Sequence, residues 1–280
     1  MHGPQILVRS LSRPAIRQKA STYFWQYHSR SDRHSKIACW GILFDLLRES
    51  ALLRRHFAEG LLAFGVNHEM RDFRVNRRKN LDLVVCTPRD TTGTGRTLAD
   101  LLPKYAIELT RPELAEFSKL PSVREAPVGA VRIALEAKAC MTEHVKALPR
   151  LHDELNSSHL SIHGAANHAI AVGFAMVNAA DSFVSPDLNK LDLTTVRPVV
   201  THHDQPRVSE RVLEKLHQLP RRTKQTEEGF DAFGVVVVKC RNDGSPVTLV
   251  ERPPAPQPGD IFDYGAMIRR AVDLYESRYR

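Results

Sequence analysis

The stretch Val131-Arg132-Ile133-Ala134-Leu135-Glu136-Ala137-Lys138-Ala139 sets a carboxylate and an ammonium two residues apart at the end of an apolar run. Successive side chains of a strand alternate between its faces, so Arg132, Ala134, Glu136 and Lys138 are expected on one face. Val131, Ile133, Leu135, Ala137 and Ala139 are then expected on the other, in a core. A second short strand is predicted upstream at Leu81-Asp82-Leu83-Val84-Val85, with an acid set among apolar residues. If the two strands are neighbours, Asp82, Glu136 and Lys138 converge. Two carboxylates beside a lysine can hold Mg²⁺ and orient a water, which is the apparatus for cutting a phosphodiester bond.

The order Asp82 … Glu136-Ala137-Lys138 resembles the PD-(D/E)XK nuclease superfamily, which includes many restriction endonucleases. The resemblance covers roughly residues 35–180 by the order of helical and strand-like segments. It implies an α/β fold with a restriction-endonuclease-like core: a mixed central sheet flanked by helices in the order αβββαβ, with helical and loop insertions. It also implies a Mg²⁺-dependent endonuclease that hydrolyses DNA, of restriction or anti-phage defence type, with Mn²⁺ able to substitute. Asp82, Glu136 and Lys138 would be its catalytic residues. Asp82, Glu136 and the Ala137 carbonyl would be metal ligands, with a further carboxylate from Glu49, or in second place Asp45, on the first core helix. Lys138 would lie near the attacking water. Cutting both strands of a duplex needs two such sites, so a homo-oligomer, a dimer or higher, is expected. Two departures are visible: Leu81 stands where the superfamily's proline would precede the first acid, and the separation of Asp82 from Glu136 exceeds a minimal meander, implying an insertion at about residues 88–128.

Two other readings remain. Glu136 and Lys138 alone would make an exposed ion pair of little consequence. A non-catalytic nucleic-acid-binding or assembly module could also keep a nuclease-like fold. The intact acid–acid–lysine set favours the enzyme.

Composition narrows the field. The chain has 280 residues and a net charge of +8, which suits a polyanionic partner, here DNA. No apolar run reaches the roughly twenty residues a membrane span needs, so no membrane partner is expected. Cys39, Cys86, Cys140 and Cys240 lack zinc-ligand spacing and each lies in or beside an apolar segment. They read as buried free thiols, and the protein as cytoplasmic. Residues 1–30 carry Arg9, Arg13, Arg17, Lys19 and Arg30 and no acid, and read as a basic arm or helix. His144, His152, His159, His163 and His168 crowd one region. His163 and His168 are the nearest pair, but their spacing has no settled ligand geometry, and second-sphere, DNA-contacting or surface histidines are expected.

Along the chain, a first helix is predicted over 13–29 and a longer one over 35–58, where Ile37, Trp40, Leu43, Phe44, Leu47, Ala51 and Leu52 recur at helical spacing. Strands are expected over 65–73 and 81–86. Arg77-Arg78-Lys79 would rim the site. Thr91-Thr92-Gly93-Thr94-Gly95 reads as flexible and lacks the ending of a phosphate-binding P-loop. A short helix or a partly extended run is predicted over 98–109, and helices over 112–120, 207–219 and from Asp260 or Asp263 through Tyr279. Thr142 should cap a helix running toward Asn156, kinked or restarted at Pro149. Residues 168–178 and 230–239 read as buried strands. A single nuclease-like domain over 31–250 follows, then a Pro-rich linker and C-terminal helix over 251–280.

Overall fold

The computed structural model of the chain describes residues 1–18, 22–72, 74–90 and 95–280. Lys19, the end of the expected strand at Phe73, and residues 91–94 of the Thr-Gly stretch lie outside the described residues. The chain opens with α1 (Gly3–Ser12) and a small hairpin of β1 (Ile16–Arg17) and β2 (Phe24–Trp25). Then come α2 (Arg33–Glu49), α3 (Ala51–Ala58), β3 (Ala63–Asp72) and β4 (Arg77–Pro88). The short helices α4 (Leu101–Tyr105) and α5 (Arg111–Phe117) precede the long strand β5 (Val128–Cys140). Helix α6 (His144–Ala165) leads into β6 (Ile170–Asn178), followed by the two-residue strands β7 (Ser182–Phe183) and β8 (Thr201–His202). Helix α7 (Arg207–His217), β9 (Ala232–Lys239), β10 (Thr248–Leu249) and α8 (Tyr264–Arg278) complete the chain.

Six strands form one mixed sheet in the order β10-β9-β6-β5-β4-β3. β3, β4 and β5 are an antiparallel meander. β5, β6 and β9 run parallel, with β10 antiparallel at the edge. The segment α2-β3-β4-β5-α6-β6 therefore has the order helix, three-stranded meander, helix, strand. A parallel pair cannot be joined by a tight turn, and α6 supplies the crossover from β5 to β6.

Helices cover both faces. α1, α2 and α8 close one face through Ile6, Leu43, Phe44, Ile268 and Tyr275. α6 and α7 close the other through Leu155, Ile162, Val212 and Leu216. All nine residues of β6 are buried, as expected for a central parallel strand. Leu98, Leu101, Tyr105, Ile107 and Val123, from the segment between β4 and β5, join the α1–α2 core.

The helix expected over 13–29 is not formed. Ile16 pairs with Trp25 and Arg17 with Phe24 as a hairpin, which suits the aromatic run Tyr23-Phe24-Trp25. The helix lies upstream, where Pro4 occupies its first turn without losing a hydrogen bond. Its N-terminal N–H groups are met by Asp45 of α2, which is fully buried and accepts from His2 N and Gly3 N, both at 2.8 Å, and from Tyr264 Oη at 2.9 Å. Asp45 therefore caps α1, and the carboxylate is used up in the core. The long helix predicted over 35–58 is divided at Ser50, whose hydroxyl accepts from Leu53 N to start α3. Thr142 does not cap α6: the helix starts after Glu143, and Thr142 Oγ1 instead meets His203 Nε2 at 3.1 Å. α6 continues through Pro149 without a break. The four cysteines are buried and unpaired.

Strict alternation along β5 holds from Ile133 onward and fails before it. The register jumps from Val85↔Ile133 to Cys86↔Val131, which leaves Arg132 as a bulged residue. Val131 consequently packs with the α6–α7 core, while Arg132 lies over the Tyr279 ring at 4.8 Å. Nor is the Glu136 face open: Ala134 and Glu136 are 0% and 1% exposed, because α6 covers them.

Candidate functional site

The β4–β5 ladder ends at Leu83↔Leu135. Beyond that pair β4 stays with β3, and β5 stays with β6 as far as Cys140↔Val177. The two strands part, and a notch opens between them. Asp82 sits at the fork. Leu81 packs with the α6–α7 core and Leu83 with the opposite one, so the strand changes phase at Asp82. Across from it on β3, Asn67 has φ 54°, a left-handed conformation that Asn tolerates and that suits this local twist. Asp82 Oδ2 takes the Ala137 N–H at 3.0 Å, in place of the ladder bond the parting strands no longer make.

The site is assembled from four elements. Asp82 and Lys79 come from β4, Glu136 and Lys138 from β5, and Glu154 from α6. Ser35 and Lys36 enter from the first turn of α2. Lys36 Nζ lies 2.7 Å from Asp82 Oδ1 and 3.1 Å from the Asp82 carbonyl oxygen, with its side chain 3% exposed. Ser35 Oγ donates to the same Oδ1 at 2.8 Å. Lys138 Nζ is 3.0 Å from Glu136 Oε1 and 3.4 Å from Glu154 Oε2. Lys79 Nζ is 3.6 Å from Glu136 Oε1, which puts one member of the basic Arg77-Arg78-Lys79 run inside the cluster. Glu136 Oε2 is buried with no hydrogen-bond partner. Beside the notch is a cleft of about 440 Å³ lined by His34, Asp82, Lys138, Arg150 and Glu154 among others.

The charges settle in opposite directions. Burial raises the Glu136 pKa, the nearby Asp82 charge raises it further, and Lys138 and Lys79 only partly offset this. Burial also pushes Asp82 upward, but Lys36, the Ala137 N–H and Ser35 outweigh it and hold the carboxyl below its ordinary value. Burial pulls Lys138 down, yet Glu136 and Glu154 leave it net raised, hence cationic. His34 is pulled down to about 4 by burial, so it stands neutral in the lining of the cleft.

These shifts carry a stability consequence. An acid whose pKa is higher folded than unfolded contributes stability below its unfolded value, 4.5 for Glu136, and loses it as pH rises through the folded value. Glu136→Gln is therefore expected to gain in relative melting temperature from pH 4 to pH 7. Parallel thermal melts of the two proteins check this, and a constant difference across that range would show that Glu136 is not strained by its burial.

The magnesium site expected from Asp82, Glu136, Ala137 and Glu49 is not formed, and with it goes the substituting Mn²⁺. Among the described residues no three His, Cys, Asp or Glu side chains come together in an arrangement that could hold a metal ion. The physical reason is the occupancy of the ligand atoms. Both Asp82 oxygens are engaged by Lys36, Ser35 and Ala137 N–H, and Glu136 Oε1 is paired with Lys138. Glu49 is exposed at the far end of α2, roughly 20 Å along the helix from Ser35 at 1.5 Å per residue. The crowded histidines form no such cluster either. His144 Nε2 bonds the Asn178 carbonyl, and His163 Nε2 the Gly229 carbonyl.

Sequence reasoning singled out Asp82, Glu136 and Lys138, and the structure places those three side chains near one another. It missed Lys36 and Ser35. The signal for Lys36 lies in its spacing to Trp40, Leu43 and Leu47, which puts a lysine on the apolar stripe of α2.

No protein-family model, no curated protein and no solved structure matches this chain. The fold is a mixed six-stranded α/β sheet flanked by helices, consistent with a generic restriction-endonuclease-like topology. Among the described residues no helix is long and apolar enough to cross a membrane.

Proposed function

We propose that this chain is a phosphodiester hydrolase acting on DNA at the Asp82–Glu136–Lys138 notch, as a restriction or defence endonuclease would. One observation carries the reading: Asp82 and Lys138 line an open cleft where β4 and β5 part, with the buried Glu136 paired to Lys138 and the two carboxyl pKa values shifted in opposite directions. The wider charge balance supports it. Lys36, Lys79, Lys138 and Arg150 stand against Asp82, Glu136 and Glu154, a surplus suited to an anion. Hydrolysis forms one phosphorus–oxygen bond to a water and breaks another to the leaving sugar oxygen. Glu136 is 1% exposed, so the attacking water has to enter the notch to reach its unpartnered oxygen; there the raised proton affinity makes it the acceptor for the water's proton. Lys138, held cationic, faces the charge that builds on the phosphoryl oxygens. Solvent protonates the leaving oxygen.

A homodimer pairs two notches for a double-strand break, and a single copy nicks one strand. The engagement of both Asp82 oxygens by α2 and β5 also favours a second reading, a module that binds DNA without cutting it. Incubation of the full chain with supercoiled plasmid, in separate arms with chelator and with divalent cations, separates the two. Nicked or linear product in either arm, lost in Glu136→Gln, supports hydrolysis. Retarded plasmid with no cleavage in any arm supports the binding module, and plasmid that is neither cut nor retarded in any arm would rule DNA out as the ligand.

A further inference from the structure

We infer that Lys36 is the resident cation of this site: its ammonium takes the position beside Asp82 that a bound divalent ion would need, so the polypeptide supplies the positive charge itself. The inference deepens the reading of the notch as a phosphodiester site and rests on it for the nature of the substrate.

Three observations carry it. First, Lys36 Nζ binds Asp82 twice, at Oδ1 and at the carbonyl oxygen, which are two of the hard oxygen atoms a divalent ion would draw from this residue. Second, the contact is built in. Lys36 is 4% exposed, lies in the first turn of α2, and is followed along the same stripe by the buried Trp40, Leu43 and Leu47. A buried lysine in the interior is costly unless it is paired, and the pairing here is with the acid at the fork. Third, the other two acids of the cluster, Glu136 and Glu154, carry their own cations. Glu136 has Lys138 and Lys79, and Glu154 has Lys138 and Arg150. A divalent ion entering the notch would have to displace an ammonium and would meet a surplus of positive charge. A phosphate diester meets the opposite field. With Asp82 already neutralised, Lys138 is left to act on the anion, and Lys36 is a positioning residue that holds Asp82 against the Ala137 N–H.

The test measures ion binding directly, without DNA, so that it stands apart from cleavage. Mn²⁺ is titrated into the full chain and followed by electron paramagnetic resonance. The unaltered chain is expected to show no Mn²⁺ bound through Asp82, so that Asp82→Asn leaves its titration unchanged. Lys36→Met keeps an unbranched apolar stem and removes the ammonium. It is expected to tighten Mn²⁺ binding by at least ~10-fold, and Lys36→Met with Asp82→Asn is expected to lose that gain. Lys36→Gln, with circular dichroism on every variant, provides a second route if Lys36→Met does not fold. A Mn²⁺ ion bound by the unaltered chain and lost in Asp82→Asn would overturn the inference, whichever Lys36 variants fold. So would folded Lys36 variants that gain no Mn²⁺. If no plasmid is cut but these ion titrations come out as expected, the hydrolase reading fails and the resident cation stands.

Discussion

Lys138→Met is expected to slow DNA cleavage by roughly 10²–10³-fold, the usual cost of removing one preorganised charge from an anionic transition state. The ammonium is 3.0 Å from Glu136 and 3.4 Å from Glu154, and these two contacts fix its position on β5 before any substrate arrives. Methionine preserves the stem against Ala175 across the β5–β6 ladder and leaves the backbone pairing untouched. It also removes the main group restraining the proton affinity of Glu136, since only Lys79 at 3.6 Å remains. The pH at which the residual activity rises should therefore move upward, a change that a purely structural lysine would not produce. Single-turnover nicking rates across pH, with circular dichroism as the control for folding, measure both effects. A rate and pH profile matching the unaltered chain would remove Lys138 from the chemistry.

The largest stability effect is expected elsewhere. Asp231→Ala should cost about 3–5 kcal/mol, because it strips the partner from a buried guanidinium. Asp231 is 5% exposed and Arg222 2% exposed, and they meet at 3.0 Å. Asp231 also accepts from Ala171 N at 2.8 Å, at the start of β6, and from Arg278 at 2.7 Å, at the end of α8. One carboxylate thus ties the start of a central strand, the approach to β9 and the last turn of the C-terminal helix. Burial raises its pKa, but Arg222, the Ala171 N–H and Arg278 outweigh this and hold it below 3.8. Its contribution is then fully present above that value and lost as pH falls through the folded pKa. Urea denaturation of Asp231→Ala beside the unaltered chain at pH 7 gives the loss. A difference within experimental error would mean that Arg222 finds compensation in the Asn167 and Ala169 carbonyls it already contacts.

What could be seen in the sequence depended on how local the cause was. β4, β5 and β6 were legible because apolar residues in strand-length runs have few other places to go, and Asp82 and Glu136-Ala137-Lys138 stood out against those runs. The order α2-β3-β4-β5-α6-β6 followed from the same signals. α1 was missed because its cap is remote: Asp45 reaches it from a position 43 residues on. The phase changes at Asp82 and Arg132 were also hidden, since both arise from where a partner strand leaves or shifts register. The expected magnesium site failed for the same kind of reason. Spacing along two strands says where carboxylates converge, but not what else arrives there. Lys36 comes to Asp82 across 46 residues of chain. Its one local trace was a charge on an apolar stripe. The Asp231 hub has no local pattern at all, because its partners Ala171, Arg222 and Arg278 come from three separate segments.

The most direct measurement is a crystal structure of the full chain carrying Glu136→Gln, in complex with a short DNA duplex. The expected result is a backbone phosphate in the notch where β4 and β5 part, within about 2.7–3.2 Å of Lys138 Nζ, with Lys36 still on Asp82. DNA held on another face, with no phosphate near Lys138, would contradict the assignment of the Asp82–Glu136–Lys138 notch as the phosphodiester site.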